Sequence, residues 1–277
     1  MSKPSLVVEF IKMQAAGNDF IVIDNRFYYF SASEESHLAQ LWCDRHFGIG
    51  ADGLIVLNAS SDTDADITMR HYNPDGHVAT LCGNGTRCAA LYASHSGMSS
   101  GSTVRIRSGA GILTADIGQL TSTEGRVTVK MPTPSGYLES AIPVEGRDVF
   151  VAQVWTGTEH AVYERKETVE FARFAPMVRQ HEGMGSRGVN VNEIEVLQPG
   201  VAKIRTYEKG VEGETLACGT GAVAAAVFLS HMGNRPDKVL LHAKGGDLYV
   251  HEQAGRWYLE GPAAVVYRGT FEYNGES

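Results

Sequence analysis

The chain states one phrase twice, and that repetition limits the folds open to it more than any other feature. LCGNGTRCAALYA begins at Leu81 and ACGTGAVAAAVFL at Ala217. Both set Cys-Gly-x-Gly ahead of an Ala-rich apolar run, and the two cysteines, Cys82 and Cys218, stand about half a chain length apart in 277 residues. The echo continues on either side in the same order. Upstream, Tyr72 and Tyr207 open the turn-rich phrases YNPDG and YEKG, and Gly17-Asn18-Asp19-Phe20 answers Gly157-Thr158-Glu159-His160. Downstream, VRIRSGAGILTADI from Val104 parallels VLLHAKGGDLYVHE from Val239, with Gly111 against Gly246 and Leu113 against Leu248. A long period of this kind signals one folding unit used twice. We therefore expect two similar domains, residues 1–134 and 135–277, joined near the Pro-rich MPTPSG at 131–136.

Within each half, runs such as FIVID, GLIVL, ITMRHY, VRIRS and RVTVKM are short, rich in β-branched residues and bounded by Gly, Asn, Asp or Pro, as strands are. Helical spacing is confined to four places. These are the segment after Ser33, which we read as an N-cap, with Leu38, Leu41 and Trp42 on one face; the runs after Cys82 and Cys218; and FARFAPMVRQH from Phe171. GAVAAAVFL is apolar all round, so it belongs inside. The pattern predicts an α+β architecture in which each half wraps strands round one central, nearly uncharged helix.

Composition removes several functions. A formal charge of −8 leaves no concentrated Lys/Arg surface for tracking phosphates, so a small-molecule partner is expected rather than nucleic acid. No apolar run approaches the roughly 20 residues that span a bilayer, and the N-terminal apolar stretch is interrupted by Glu9 and Lys12. The four cysteines, at 43, 82, 88 and 218, are too sparse for a disulfide scaffold and lack the paired short spacing of structural zinc. A reducing, cytoplasmic setting without membrane attachment is expected.

A cysteine placed where a Gly-rich turn enters a buried helix meets orphaned backbone N–H groups and the positive end of the helix dipole. Both favour a thiolate, and the same N–H groups can hold a carboxylate. Removing an α-proton from an amino acid without an electron-sink cofactor demands donors aimed at the carboxylate as charge develops there. A thiolate on one face and a thiol on the other would invert the carbon by general base and general acid action. An isolated cysteine is ordinarily a small buried hydrophobe. Cys43 and Cys88 fit that description, and Cys88 sits about 240° round a helix from Cys82. Packing alone does not require Cys-Gly-x-Gly twice.

In order and spacing, GNDFIVID from Gly17, RHFGIGADGL from Arg45, YNPDG from Tyr72, CGNGTRC from Cys82, NVNEIEV from Asn190, GETLACGTGA from Gly213 and GPA from Gly261 resemble the diaminopimelate epimerase family along nearly the whole chain. The resemblance implies two pseudo-symmetric domains, each a β-barrel-like sheet round a central helix, with the active site in the cleft between them. It implies no cofactor, no metal, and interconversion of LL- and meso-diaminopimelate for lysine and peptidoglycan synthesis. By the same resemblance Cys82 and Cys218 are the base and acid pair, and backbone groups of Gly83, Asn84, Gly219 and Thr220 hold the reacting carboxylate. Asn18, Asn73, Asn190, Glu208 and Lys209 then contact substrate, His160 and Glu208 support catalysis, and domain closure and a homodimer are compatible with the family.

Two phrases depart from the family pattern. Its usual Glu-Arg-Gly is Glu208-Lys209-Gly210, and its Gly-Asn-Pro-His is Gly157-Thr158-Glu159-His160. Lys lacks the two-pronged grip of Arg on a carboxylate, and Thr lacks the amide of Asn. Both changes fall on recognition of the substrate's far end. That leaves open an epimerase or racemase of the same fold acting on another amino acid, such as lanthionine or histidine. The residues also admit a thiol redox or metal-binding protein using Cys82, Cys88 and Cys218, and a non-catalytic ligand-binding module. Mild oxidation is expected to join Cys82 to Cys218.

Overall fold

The computed structural model describes residues 6–80, 82–165, 170–186, 188–233 and 236–273. The chain divides into two compact units, one running through Val129 and resuming at Pro262, the other Lys130–Gly261. The first holds β1 (Leu6–Ala15), β2 (Asn18–Asp24), α1 (Ala32–Trp42), β3 (Gly53–Ala59), β4 (Ile67–Tyr72), β5 (Val78–Ala79), α2 (Gly83–His95), β6 (Thr103–Ser108), β7 (Gly111–Leu120) and most of β8 (Glu124–Met131). The second holds β9 (Ser135–Val144), β10 (Arg147–Trp155), β11 (Glu159–Glu164), α3 (Phe171–Gln180), β12 (Asn190–Gln198), β13 (Val201–Glu208), β14 (Gly213–Thr215), α4 (Gly219–His231), β15 (Lys238–Ala243), β16 (Gly246–Gln253) and the start of β17 (Arg256–Tyr273).

The duplication read from the sequence is a duplication of topology. In the first unit β2 and β3 are parallel with α1 as their crossover, β3 and β4 antiparallel, and β4 and β6 parallel with β5 and α2 between them. In the second, β11 and β12 are parallel across α3, β12 and β13 antiparallel, and β13 and β15 parallel across β14 and α4. The registers agree residue for residue. Phe20 faces Gly53 as His160 faces Asn190, Ile55 faces His71 as Asn192 faces Thr206, and Leu54 faces Tyr72 as Val191 faces Tyr207. His160 therefore stands where the repeat places Phe20.

Each central helix lies against the sheet that curls round it. α2 packs on β1, β2, β3, β4, β6 and β7, and α4 packs on β10, β11, β12, β13 and β16. The crossover helices cover the other face: Leu38 and Trp42 of α1 bury against Ile21, Ile23, Leu54 and Val56, and Phe171, Phe174 and Val178 of α3 against Tyr163, Val191 and Tyr207. Strands covered on both faces must be apolar on both, which is why Gly53–Leu57 is buried without alternation. Burying side chains such as Val223, Phe228 and Leu229 of α4 contributes roughly 1.5–3 kcal/mol each.

Two expectations are corrected. The N-cap of α1 is Ser31, not Ser33: Ser31 Oγ accepts from Glu34 N while Glu34 Oε2 accepts from Ser31 N, a reciprocal capping box that satisfies two helix-end donors. The partition at 134/135 also misplaces the last strand. β17 pairs antiparallel with β1 from Leu6↔Tyr273 to Gln14↔Ala264, so residues from Pro262 on belong to the first unit. Because β8 also pairs with β17, the strands β1, β2, β3, β4, β6, β7, β8 and β17 form a closed ring of eight. Closure leaves no open sheet edge there.

Candidate active site

Cys82 and Cys218 occupy the same place in their units, the N-cap of the central helix, with extended backbone at φ −141° and −125°. The strand-like residue just before a helix is where a side chain can turn back over the first exposed N–H groups. Cys82 does so, with its Sγ accepting from Gly85 N at 3.3 Å. Cys218 makes no such cap bond. Both thiols are partly accessible, whereas Cys43 and Cys88 are buried, and burial pushes Cys43 up to about 12 and Cys88 higher still.

Around Cys82 the polar groups form one chain of contacts. Asn18, at the start of β2, donates from Nδ2 to Asp52 at 2.7 Å, and this fixes the amide so that its Oδ1 faces the helix end. That oxygen accepts from Asn84 Nδ2 at 3.1 Å and lies 3.8 Å from Cys82 Sγ. Asn84 is held in turn by Arg87, whose Nη2 donates to Asn84 Oδ1 at 2.8 Å and whose Nε donates to the Pro262 carbonyl. Arg87 is fully buried, and burial pulls its guanidinium down to about 10. Behind Asn18, Asp52 and Asp19 share Arg45, and Asp19 also pairs with Lys12 at 2.7 Å. Asn73 stands exposed in the β4–β5 turn, its backbone N donating to His77 O and its carbonyl accepting from Gly76 N.

Around Cys218 the neighbours differ in kind. Thr220 Oγ1 lies 3.4 Å from Cys218 Sγ and 2.9 Å from His160 Nε2. The other ring nitrogen, Nδ1, lies 2.9 Å from Asn192 Nδ2. Asn190 bridges outward, its Oδ1 accepting from Lys209 N at 2.9 Å. His160 is fully buried, and desolvation, reinforced by the field of Lys209 and opposed by Glu159, holds it near 3, so the ring is neutral. Glu208, at the end of β13, accepts from Thr215 Oγ1 at 2.6 Å, and Lys209 Nζ pairs with Glu159 at 2.6 Å. The two phrases Glu208-Lys209-Gly210 and Gly157-Thr158-Glu159-His160 thus meet through one ion pair.

The structure gathers Asn18 and Asn84 at Cys82, and His160, Asn190, Thr220 and Lys209 on the Cys218 side. Sequence reasoning missed Arg87, Asp52, Asn192 and Thr206. Arg87 lies within the quoted CGNGTRC phrase and Asn192 within NVNEIEV, but a helical Arg reads as a solvated charge and a strand Asn as an outward one. A cavity of about 470 Å³ in the second unit, lined among others by Ser230, His231 and Trp257, lies toward the far end of α4 and includes neither cysteine.

The chain thus has a duplicated α+β fold with one thiol at the head of each central helix. Among solved structures it is similar to a phenazine biosynthesis protein of the PhzF family from Bacillus anthracis (TM-score 0.75, 16% identity, 96% of this chain and 99% of that one). It is also similar to a hydroxyproline epimerase from Agrobacterium vitis (TM-score 0.70, 16% identity, 97% and 93%). At such identities the likeness concerns the fold alone. The sequence relationship is narrower. The diaminopimelate epimerase family model matches residues 10–137 and 152–266. A diaminopimelate epimerase from Pelotomaculum thermopropionicum is 37% identical over 96% of this chain and 99% of its own length, and one from Chlorobaculum tepidum is 37% identical over 93% and 99%. The chain belongs to the diaminopimelate epimerase family, and the protein is an isomerase of the epimerase type.

Proposed function

We propose that the protein interconverts LL- and meso-diaminopimelate, with Cys82 and Cys218 exchanging the α-proton from opposite faces of one carbon and no cofactor taking part. The observation that carries this reading is the repeated N-cap: two partly accessible thiols, each at the positive end of a buried helix, in a fold used twice. First-turn N–H groups at Gly83, Asn84, Gly219 and Thr220 supply donors for a carboxylate that gains charge as the proton leaves. Asn18, Asn73, Asn190, Glu208 and Lys209 are the polar groups that orient the substrate. The names of the curated relatives support diaminopimelate as that substrate, and catalytic thiols suit a reducing cytoplasm, where lysine and peptidoglycan precursors are made.

A racemase acting on another amino acid remains the competing reading because Lys209 is paired with Glu159 rather than offered alone. The test is solvent deuterium incorporation at the α-carbon with diaminopimelate, lanthionine, histidine and lysine. Diaminopimelate should exchange fastest, and Cys82→Ala and Cys218→Ala should each slow it by roughly 10²–10⁴. Faster exchange of a substrate lacking the distal carboxylate would overturn the choice of substrate. Undiminished exchange in either cysteine variant would overturn the mechanism.

A further inference from the structure

We infer that Asn192 is a positioning residue that fixes the His160 tautomer, so that the ring turns the Thr220 hydroxyl proton onto the Cys218 sulfur and makes Cys218 the resting thiolate. The inference rests on the reading of Cys218 as one of the two proton-transferring thiols and goes beyond it by saying which thiol is ionised and what ionises it.

The argument begins with Asn192, whose amide orientation is settled by its partners. Its Nδ2 lies 3.1 Å from the Ala161 carbonyl, which can only accept, and its Oδ1 accepts from Thr206 Oγ1 at 2.9 Å. The group 2.9 Å from His160 Nδ1 is therefore an N–H donor, so Nδ1 must be the lone-pair nitrogen. In a neutral imidazole the proton then sits on Nε2, which donates to Thr220 Oγ1 at 2.9 Å. With its lone pair engaged, the threonine directs its own proton at Cys218 Sγ, 3.4 Å away. The reverse tautomer would set two N–H groups against each other at 2.9 Å. The assigned one leaves Asn190 Nδ2 facing the Nε2 proton, but at 3.5 Å, where the conflict is far weaker than at 2.9 Å. The charged groups whose fields reach the ring are Lys209 and Glu159; Lys209 opposes a second proton on it.

A hydroxyl donor stabilises a thiolate; a carbonyl acceptor stabilises a thiol. Cys82 has the latter in Asn18 Oδ1, locked toward it by Asp52. The helix heads share a frame but not their contacts: Cys82 Sγ accepts from Gly85 N, Cys218 makes no cap bond, and the side chains beside the two thiols favour opposite proton states. The family phrase alone does not announce this, because Asn192 and Thr206 occupy positions that Ile55 and His71 fill in the first unit.

Nitrogen-15 NMR of histidine-labelled protein, with His160 assigned by its loss in His160→Gln, tests the tautomer directly: Nδ1 should be lone-pair type and Nε2 proton-bearing, and a protonated Nδ1 overturns the inference. The pH profile of Cys218 alkylation by iodoacetamide, followed by peptide mapping, tests the consequence. Thr220→Val and Asn192→Leu should each slow Cys218 alkylation near neutral pH by about tenfold, the effect of losing one hydrogen bond to a charged group. Thr220→Ser should restore it, and Cys82 alkylation should not change. The same variants should lower kcat more than they alter KM. Should Asn192→Leu fail to fold, the Thr220 pair carries the test alone. An unmoved Cys218 profile in Thr220→Val sinks the relay while leaving the two-thiol reading intact, whereas full exchange by Cys218→Ala sinks that reading whatever the tautomer.

Discussion

The first turn of α2 and the first turn of α4 sit in equivalent registers and yet rest on different chemistry. Beneath Gly85 lie Phe20 and Ile55, with the Ile55 side chain 3.3 Å from where a Cβ would be. Beneath Gly221 lie Asn192 and Thr206, and a Cβ there would collide with Asn192 Oδ1. In the first unit the ring at the His160 position is Phe20, against which His71 packs edge-on at 5.4 Å. In the second unit, where His71 has its counterpart in Thr206, the same space holds a connected hydrogen-bond chain. Duplication supplied two identical frames, and divergence under the helix heads made them unequal. Under the two-thiol mechanism proposed above, that inequality is what sets one acid and one base at rest.

The comparison can be broken two positions past the shared motif, where Arg87 in α2 corresponds to Val223 in α4. Arg87→Ala removes the partners of Asn84 Oδ1 and the Pro262 carbonyl and opens a cavity, so it should cost roughly 3–5 kcal/mol in denaturant unfolding. Val223→Ala should cost about 2 kcal/mol, the transfer value of the side chain alone. Equal losses would mean that Arg87 only fills space.

The buried histidines should separate by titration. Burial holds His71 near 4 and His160 near 3, against about 6.5 when unfolded, so between those values the unfolded chain binds the additional protons. Stability therefore rises with pH through this window and falls as pH drops from about 6.5 toward 4. His71 contributes on the order of 3 kcal/mol to that fall. Neither of its ring nitrogens has a hydrogen-bond partner among the described residues, so His71→Phe should preserve the contact with Phe20 and flatten the slope by about one proton. An unchanged slope would place the acid sensitivity elsewhere. His160 lacks such a silent replacement because both its nitrogens are engaged.

The smallest effect is expected at Lys209. Lys209→Met removes one partner of Glu159 and none of the groups in the proposed Cys218 relay, so KM for diaminopimelate should rise about tenfold with kcat nearly constant, the signature of lost uniform binding. A fall in kcat without a change in KM would show that the Lys209–Glu159 pair acts on the chemistry instead.

Much of this was legible in the residues. Cys-Gly-x-Gly placed both thiols at helix heads, and the matched phrases put His160 opposite Phe20 before any register was known. Local signals failed where two were in competition. Ser31 and Ser33 both stand at the start of α1, Ser33 inside its first turn, but only Ser31 has a glutamate three residues on to complete the reciprocal cap. Arg87 escaped because helix periodicity does not distinguish a solvated guanidinium from one buried against a backbone carbonyl.

What the chain determined by itself was local and repeated: strands by alternation and β-branching, helix starts by capping chemistry, and two thiols by an identical motif. Tertiary structure alone decided that Pro262–Tyr273 returns to the first unit, because strand pairing between Leu6 and Tyr273 joins the two ends of the chain and leaves no periodic trace in either. It also decided which way Asn18 and Asn192 point. An amide has a donor and an acceptor end of nearly equal size, so its orientation is set by the neighbours it meets after folding, here Asp52 for one and the Ala161 carbonyl for the other.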